Sequence, residues 1–202
     1  MQEEFTKKTI KELMKLKGEV RGLILRQDLE YVQGQKGREG LEKIEDQLAL
    51  WGYPVKYEKI KNIEFYPSGL RALSLLAMRK VFGWDDKKIG LACAYHIKDS
   101  LAMRFFMKYL SSPSHILEKA PIMWREYWTV GEMKVIKFNG KEKYAIVRLE
   151  NFDLHPIFCR CLEGYLKSIT NIVIRDSKTT CQETQCSFKN GKNYHEFLIK
   201  WK

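Results

Sequence analysis

Cysteine and histidine residues concentrate in the C-terminal quarter of the chain. Four of the five cysteines lie between residues 159 and 186, and His155 and His195 flank them. If residues 189–192 form a four-residue hairpin loop, Cys186 faces His195 across two strands, with Cβ atoms about 4.5–5.5 Å apart. A thiolate and an imidazole at that separation can bind one tetrahedral metal ion, with bonds of about 2.3 and 2.0 Å. This pair therefore predicts part of a metal site.

Further ligands for such a site lie nearby in the sequence. Glu183 precedes Cys186 by three residues, so a slight bend in the strand would add a carboxylate. Cys159 or Cys161 would complete the set from the preceding helix. Cys161 falls on the apolar face of that helix and is expected in the core, whereas Cys159 lies at the edge of that face. These ligand types select Zn²⁺ over Mg²⁺ or Ca²⁺. Spacing alone also allows a metal-free hairpin, because free cysteines often pack as small apolar side chains.

The C-terminal pattern resembles the 4-vinyl-reductase-type small-molecule-binding domain. That family has a helix carrying Cys and Gly-Tyr, then a strand, then Glu-x-x-Cys and Gly-x-x-x-Cys-x-Phe. The match covers about 45 residues. Its positions in this chain are Cys159, Gly164-Tyr165, Glu183, Cys186, Gly191, His195 and Phe197. The chain departs from the pattern in having His as the last ligand, and in two intervals, before Glu183 and before Gly191, that are one residue longer.

The resemblance implies a structural zinc ion. Its ligands would be Cys159, Glu183, Cys186 and His195, with Cys181 as an alternative to Glu183. The family's aromatic-compound sensors bind zinc through Cys, Glu, Cys and Cys, and their fold is shared with haem–nitric-oxide-binding domains and with subunits of a Golgi transport tethering complex. The implied function is a sensor domain that binds a small, mostly apolar molecule between helices and sheet. Relatives commonly pair through their N-terminal helices, so a homodimer is expected, together with an effector protein partner.

Aromatic residues in the middle of the chain supply material for the ligand pocket. Two segments carry them, the helical pattern of residues 96–110 and the segment around residues 124–128. The pocket candidates are His96, Phe105, Phe106, Tyr109, Trp124 and Trp128.

The helices and strands that the sequence predicts, and that must position these residues, indicate an α+β fold. In this fold a helical N-terminal half packs on an antiparallel sheet with a C-terminal β-hairpin. Hydrophobic spacing predicts one domain over residues 1–202, with N-terminal helices in 1–52 and a ligand-binding core in 53–202. Predicted helices cover 4–26, 37–51, 70–82, 85–92, 96–110, 115–126 and 156–167. Extended chain is predicted for 55–65. Predicted strands cover 132–138, 143–149, 171–175, 179–188 and 195–201, with Asn139-Gly140 joining the first pair.

Composition limits the possible classes of protein. A chain of 202 residues with 45% hydrophobic residues can bury a core. The sequence contains no apolar run of membrane-spanning length and no signal-peptide core, so we expect a cytoplasmic protein without a membrane partner. The net charge of +11 arises from interleaved Lys, Arg and Glu. A solvated mixed-charge surface is therefore expected, and binding of nucleic acid or another polyanion stays an alternative. The lone Cys93 is expected to be buried.

Two further functions compete with the sensor of an apolar ligand. A haem-based gas sensor is one, with His115 as a possible proximal ligand at the start of a helix. Tyr66-Pro67-Ser68-Gly69-Leu70-Arg71 is, however, one residue out of the Tyr-x-Ser-x-Arg motif of the haem–nitric-oxide family. An enzyme is the other. No Gly-rich nucleotide loop or HExxH motif occurs, and a zinc ion with four protein ligands lacks an open position for catalysis. We therefore expect a protein that is not an enzyme.

Overall fold

The computed structural model describes residues 7–95, 113–174 and 178–202. The predicted α+β class is confirmed: helices dominate the first half, and a four-stranded antiparallel sheet follows. In chain order the elements are α1 Lys7–Met14, β1 Glu19–Arg21, α2 Gly22–Leu50, a 3₁₀ turn Tyr57–Lys59, β2 Phe65–Pro67, α3 Ser68–Phe82, α4 Asp86–Ala94, α5 Pro113–Tyr127, β3 Glu132–Asn139, β4 Tyr144–Glu150, α6 Ile157–Ile174, β5 Thr180–Gln185, α7 Ser187–Asn190 and β6 Tyr194–Lys200.

The N-terminal helices differ from their predicted bounds. The chain turns at Gly18, whose φ of 90° favours glycine, and then forms β1, so the predicted helix over 4–26 is wrong in its middle. The helix that follows, α2, continues through the predicted start at 37 with a kink at Gly37. Ile44 and Leu48 are fully buried, because this helix packs on α3.

The sheet has the strand order β3-β4-β6-β5. The β3–β4 hairpin and the strand near the C-terminus form close to where alternation predicts them. On β4 and β6 alternate residues are buried and face the helices: Ala145, Val147, Leu149, His195, Phe197 and Ile199. Asn139 stabilises the first hairpin, because its side-chain oxygen accepts the backbone N–H groups of Lys141 and Glu142.

Three predictions of local structure are wrong. Residues 171–174, predicted to start a strand, form the last turn of α6, because Ile169 and Ile172 pack at helical spacing in the cluster around Ala94 of α4. Most of 55–65 is turn and 3₁₀ structure rather than extended chain. The strand predicted over 179–188 ends at Gln185, and a helical turn, α7, replaces the four-residue loop. The helix predicted over 96–110 lies outside the described residues.

The apolar residues of the N-terminal helices, which would form the expected dimer interface, pack within the same chain. Ile10 is buried in the core, and Met14 and Trp51 are partly buried against it. Homodimer formation therefore stays a prediction, without that support. Among the described residues, no helix is both long and apolar enough to cross a membrane.

Helices α4 and α6 approach each other most closely at two glycines. A Cβ atom on Gly164 would lie 2.3 Å from the carbonyl oxygen of Gly90. Cys93, one turn further along α4, forms a disulfide with Cys161 of α6. The prediction that Cys93 is buried agrees with its 9% exposure, but the expectation that it stands alone is wrong. The two cysteines are 68 residues apart, and only this helix contact brings them together.

Replacing Gly164 by Ala should lower the free energy of unfolding by about 1–3 kcal/mol, because the added methyl group meets backbone that cannot move away. Helix propensity alone would predict a gain of about 0.5–1 kcal/mol. Gly34→Ala in α2 is the matched control, since its Cβ would lie 3.4 Å from the hydroxyl oxygen of Tyr95, an ordinary contact. Urea unfolding of both variants measures the difference. Equal gains in stability would contradict the close helix contact.

Candidate functional site

The four predicted zinc ligands lie together at one end of the sheet. Cys159 lies in the first turn of α6, Glu183 on β5, Cys186 directly after β5, and His195 on β6. Their ligand atoms all lie within 4.8 Å of one another. Cys159, Cys186 and His195 are buried, and the Glu183 side chain is 5% exposed. The tertiary structure thus gathers side chains from three elements into one enclosed cluster.

Strand register explains why these residues share a face. Gln185 pairs with Glu196, so the next residues along, Cys186 and His195, are neighbours as the sequence predicts. The pairing shifts by one residue between Glu183 and Gln185, which is a β-bulge. Without the bulge, Glu183 and Cys186 would point to opposite faces, because side chains alternate along a strand. The bulge is the bend in the strand that was expected to bring the Glu183 carboxylate to the site.

The distances match those of a tetrahedral zinc site. The sulfur atoms of Cys159 and Cys186 are 3.8 Å apart. Two zinc–sulfur bonds of about 2.3 Å at a tetrahedral angle place the sulfurs about 3.8 Å apart. The Cys159 sulfur lies 3.9 Å from Nδ1 of His195. This side of the cluster therefore has the spacing of a ligand set around one ion.

Hydrogen bonds orient the imidazole within the cluster. His195 Nδ1 lies 2.8 Å from Glu183 Oε1, and its Nε2 lies 2.9 Å from the Ser187 hydroxyl. An ionised carboxylate only accepts, so Nδ1 carries the proton that is shared with Glu183. A metal ion would take the place of that proton, while Ser187 would hold the other ring nitrogen as metal-bound histidines require.

The electrostatics of the cluster penalise a bare thiolate. Burial raises the pKa of the Cys159 thiol, and the negative charge of Glu183 and the neighbouring Cys186 raise it further. Burial also acts to raise the pKa of Glu183, but hydrogen bonds with His195 and Cys159 outweigh that effect and lower it. A divalent cation is the species that would stabilise thiolates here, because its charge favours the deprotonated ligands.

The remaining cysteines lie elsewhere. Cys181 is half-buried on β5 opposite Ile199, and it is outside the four-residue cluster. Burial raises the pKa of its thiol. Cys161, expected in the core, is indeed buried, but it forms the disulfide with Cys93 and is therefore not a free ligand candidate.

The ligand-pocket candidates are only partly within the described residues. Trp124 and Trp128 are buried, and their rings stack with centroids 5.5 Å apart. They line a cavity of about 30 Å³ between the helices, together with side chains from α2, α3, α4 and α6. His96, Phe105, Phe106 and Tyr109 lie outside the described residues.

The wall of this cavity contains a buried ion pair that the sequence did not predict. Arg71 of α3 donates from Nε and Nη2 to the two carboxylate oxygens of Asp28 on α2, at 2.7 and 3.0 Å. The guanidinium carbon lies 5.5 Å from the Trp128 ring centroid and 5.9 Å from that of Phe158. The available signal was the position of Arg71 among the apolar residues at the start of the predicted helix over 70–82, whereas Asp28 lies between two predicted helices.

Comparison with known proteins identifies the fold. No protein-family model and no curated protein sequence matches this chain. Solved structures with a similar fold include an H-NOX protein from S. oneidensis in the Fe(II)NO ligation state, with 12% identity and a TM-score of 0.66 over 90% of this chain and 99% of that one. An oxygen-binding H-NOX domain related to soluble guanylate cyclases gives 11% identity and a TM-score of 0.63, over 90% and 95%.

A third structure, Fe(II) unliganded H-NOX from K. algicida, gives 12% identity and a TM-score of 0.62, over 90% and 96% of the two chains. These likenesses confirm the expected relation to the fold of the haem–nitric-oxide-binding domains. The 4-vinyl-reductase-type family itself stays a prediction from the C-terminal residues.

In metal-free protein, Glu183→Gln should lower stability near neutral pH, with the difference vanishing in acid. The folded-state pKa of Glu183 is lowered, so its contribution is present above the unfolded pKa of about 4.5 and is lost as pH falls through the folded pKa. A charged hydrogen bond predicts a loss of about 1.5–3 kcal/mol at neutral pH. Urea unfolding with a chelator present measures it, with the exposed Glu142→Gln as control. A pH-independent difference would contradict this account.

Proposed function

We propose that this chain is a sensor domain that binds a small molecule in the cavity beside Arg71 and carries a structural zinc ion in the cluster of Cys159, Glu183, Cys186 and His195. The cavity is the observation on which the sensor proposal depends. Its walls combine aromatic and aliphatic side chains with one ion pair, the composition that is typical of small-molecule sites.

The size of the cavity limits its ligand. A volume of about 30 Å³ holds no more than a few water molecules. The ligand is therefore either a molecule of very few heavy atoms or a larger apolar one that displaces aromatic side chains. The position of the Trp124 ring is restrained, because its indole N–H donates to the carbonyl oxygen of Val130 at 2.9 Å.

The second candidate is a haem-based gas sensor, and the comparisons favour it over the apolar-ligand sensor. The fold matches H-NOX structures, one of which is described as an Fe(II)NO state and another as an oxygen complex. The described side chains fit a haem group poorly. The cavity is far too small, and Arg71 is held by Asp28. Tyr66 is partly buried away from the cavity lining, and its hydroxyl bonds to Glu64 and to the backbone of Lys61.

The described histidine side chains are engaged elsewhere. His155 Nδ1 accepts the backbone N–H of Ile157, and His195 belongs to the zinc cluster. An axial histidine ligand of haem would come from His96 or His115, whose side chains lie outside the described part of the chain. We therefore derive no step through haem, and the gas sensor depends on the fold likeness.

Purified protein that has been incubated with hemin should show no Soret band once unbound hemin is removed by gel filtration, and benzene should raise its melting temperature by mass action. Phe152→Leu enlarges the cavity and should strengthen benzene binding, since enlarged apolar cavities bind such probes. Phe82→Leu, the same change outside the cavity walls, is the control. A stoichiometric Soret band that shifts with nitric oxide would establish the haem alternative. Equal benzene effects in both variants would remove support for this cavity.

The zinc ion would fasten the C-terminal hairpin to α6. Two thiolates, an imidazole and a carboxylate close a four-ligand site that leaves no position for water, which is typical of a structural ion. A second link supports the same join: the Glu163 carboxylate of α6 accepts the backbone N–H of Glu183 at 2.7 Å. The cluster geometry is what supports this proposal.

Wild-type protein should contain one zinc ion per chain, measured by elemental analysis together with native mass spectrometry. Cys186→Ser should abolish this zinc and lower the melting temperature, because a structural ion contributes directly to folding. Cys181→Ser, on the same strand, should change neither. Acid should release the ion as the thiolates are protonated. Zinc that persists in Cys186→Ser but is lost in Cys181→Ser would show that Cys181 takes the ligand position.

A further inference from the structure

The Cys93–Cys161 disulfide lies in the wall of the same cavity. Both residues border it, and both are buried, with exposures of 9% and 3%. The cavity is therefore the route through which a reagent reaches these sulfur atoms. Its volume of about 30 Å³ admits a molecule no larger than a few waters and excludes larger oxidants such as glutathione disulfide.

A fixed cation lies beside one of the two sulfur atoms. Arg71 Nη2 is 3.3 Å from the sulfur of Cys161. The guanidinium cannot swing away, because Asp28 holds it through two hydrogen bonds and the rings of Trp128 and Phe158 flank it. Among the described residues, no hydrogen bond uses the Nη1 donors of Arg71. The cavity wall thus offers spare N–H groups next to a reactive pair of sulfurs.

We propose that Cys93 and Cys161 are a dithiol that reacts with hydrogen peroxide, with Arg71 as the residue that positions the peroxide. Peroxide has two oxygen atoms and fits the cavity. The Cys161 sulfur attacks one oxygen, the O–O bond breaks, and the leaving oxygen departs as water with the thiol proton, which leaves a sulfenic acid. The Cys93 sulfur then attacks the Cys161 sulfur and expels the second water. Two thiols and one peroxide give one disulfide and two waters.

Arg71 contributes where negative charge develops. Its N–H groups donate to the departing oxygen as the O–O bond breaks, in a site from which most water is excluded. The product disulfide joins α4 to α6 at the cavity wall, so oxidation would alter the space that a ligand occupies. This inference requires neither the zinc ion nor an apolar ligand, so its test is independent of the tests of those two proposals.

The test uses full-length protein that is reduced with dithiothreitol in urea, because this reagent is too large for the cavity, and is then refolded, desalted without oxygen and given one equivalent of hydrogen peroxide. Peptide mass spectrometry should show the Cys93–Cys161 link, and a thiol assay should show two thiols lost per peroxide. Cys93→Ser should stop at a sulfenic acid on Cys161, which dimedone traps when it is added together with urea, and Cys161→Ser should leave Cys93 unreacted. Cys181→Ser, which removes a half-buried free thiol, should react at the wild-type rate.

The role of Arg71 is tested in a variant that keeps the core filled. Arg71→Met with Asp28→Leu removes both charges together, because buried pairs replaced by apolar residues often leave stability intact. Its reaction should be at least about tenfold slower, the worth of one lost hydrogen bond to a charged group, while circular dichroism confirms the fold. An unchanged rate would overturn the role of Arg71. Reduced and refolded protein in which peroxide forms no Cys93–Cys161 link, or oxidises only other cysteines, would overturn the proposal.

Discussion

The arrangement of the helices depends on one buried ion pair, Asp28 with Arg71. Burial acts to raise the pKa of Asp28, and the charge and hydrogen bonds of Arg71 oppose it. Neither side chain has access to bulk water, with exposures of 2% and 7%, so each requires the other. Loss of one partner from such a pair typically costs about 3–5 kcal/mol, because the remaining charge stays buried and unpaired. The pair therefore fixes how α2 and α3 meet at the cavity.

The contacts of Arg71 extend this constraint to the rest of the fold. Its guanidinium lies against the rings of Trp128 and Phe158 and contacts the sulfur of Cys161. One side chain thus connects α2 and α3 with the aromatic cluster after α5 and with α6. The ion pair also explains why the cavity is not filled by side chains. Because Asp28 and Arg71 must keep their mutual geometry, the apolar side chains pack around the pair and leave a space beside it.

Helix α6 carries both chemical sites. Cys159 and Cys161 are two residues apart, about 200° around the helix, so they point to opposite sides. The Cys159 sulfur lies beside that of Cys186 beneath the sheet, and Cys161 forms the disulfide with Cys93 of α4. A change at either site therefore acts on the same rigid element. In the proposed sensor, this arrangement would connect the cavity wall directly with the C-terminal hairpin, whether the ligand is an apolar molecule or a gas.

The sequence determined the features that depend on local pattern. Alternation and Asn139-Gly140 specify the first hairpin, and the register of the second places Cys186 beside His195, since two strands joined by a short connection have few ways to pair. Tertiary structure alone decided the rest. The run Ile172-Val173-Ile174 favours a strand by composition, yet packing in the cluster around Ala94 of α4 retains it in α6. Asp28 and Arg71 are 43 residues apart, and Cys93 and Cys161 are 68 apart. No local periodicity encodes which distant helix faces meet, because that choice is made by side-chain packing across the whole core.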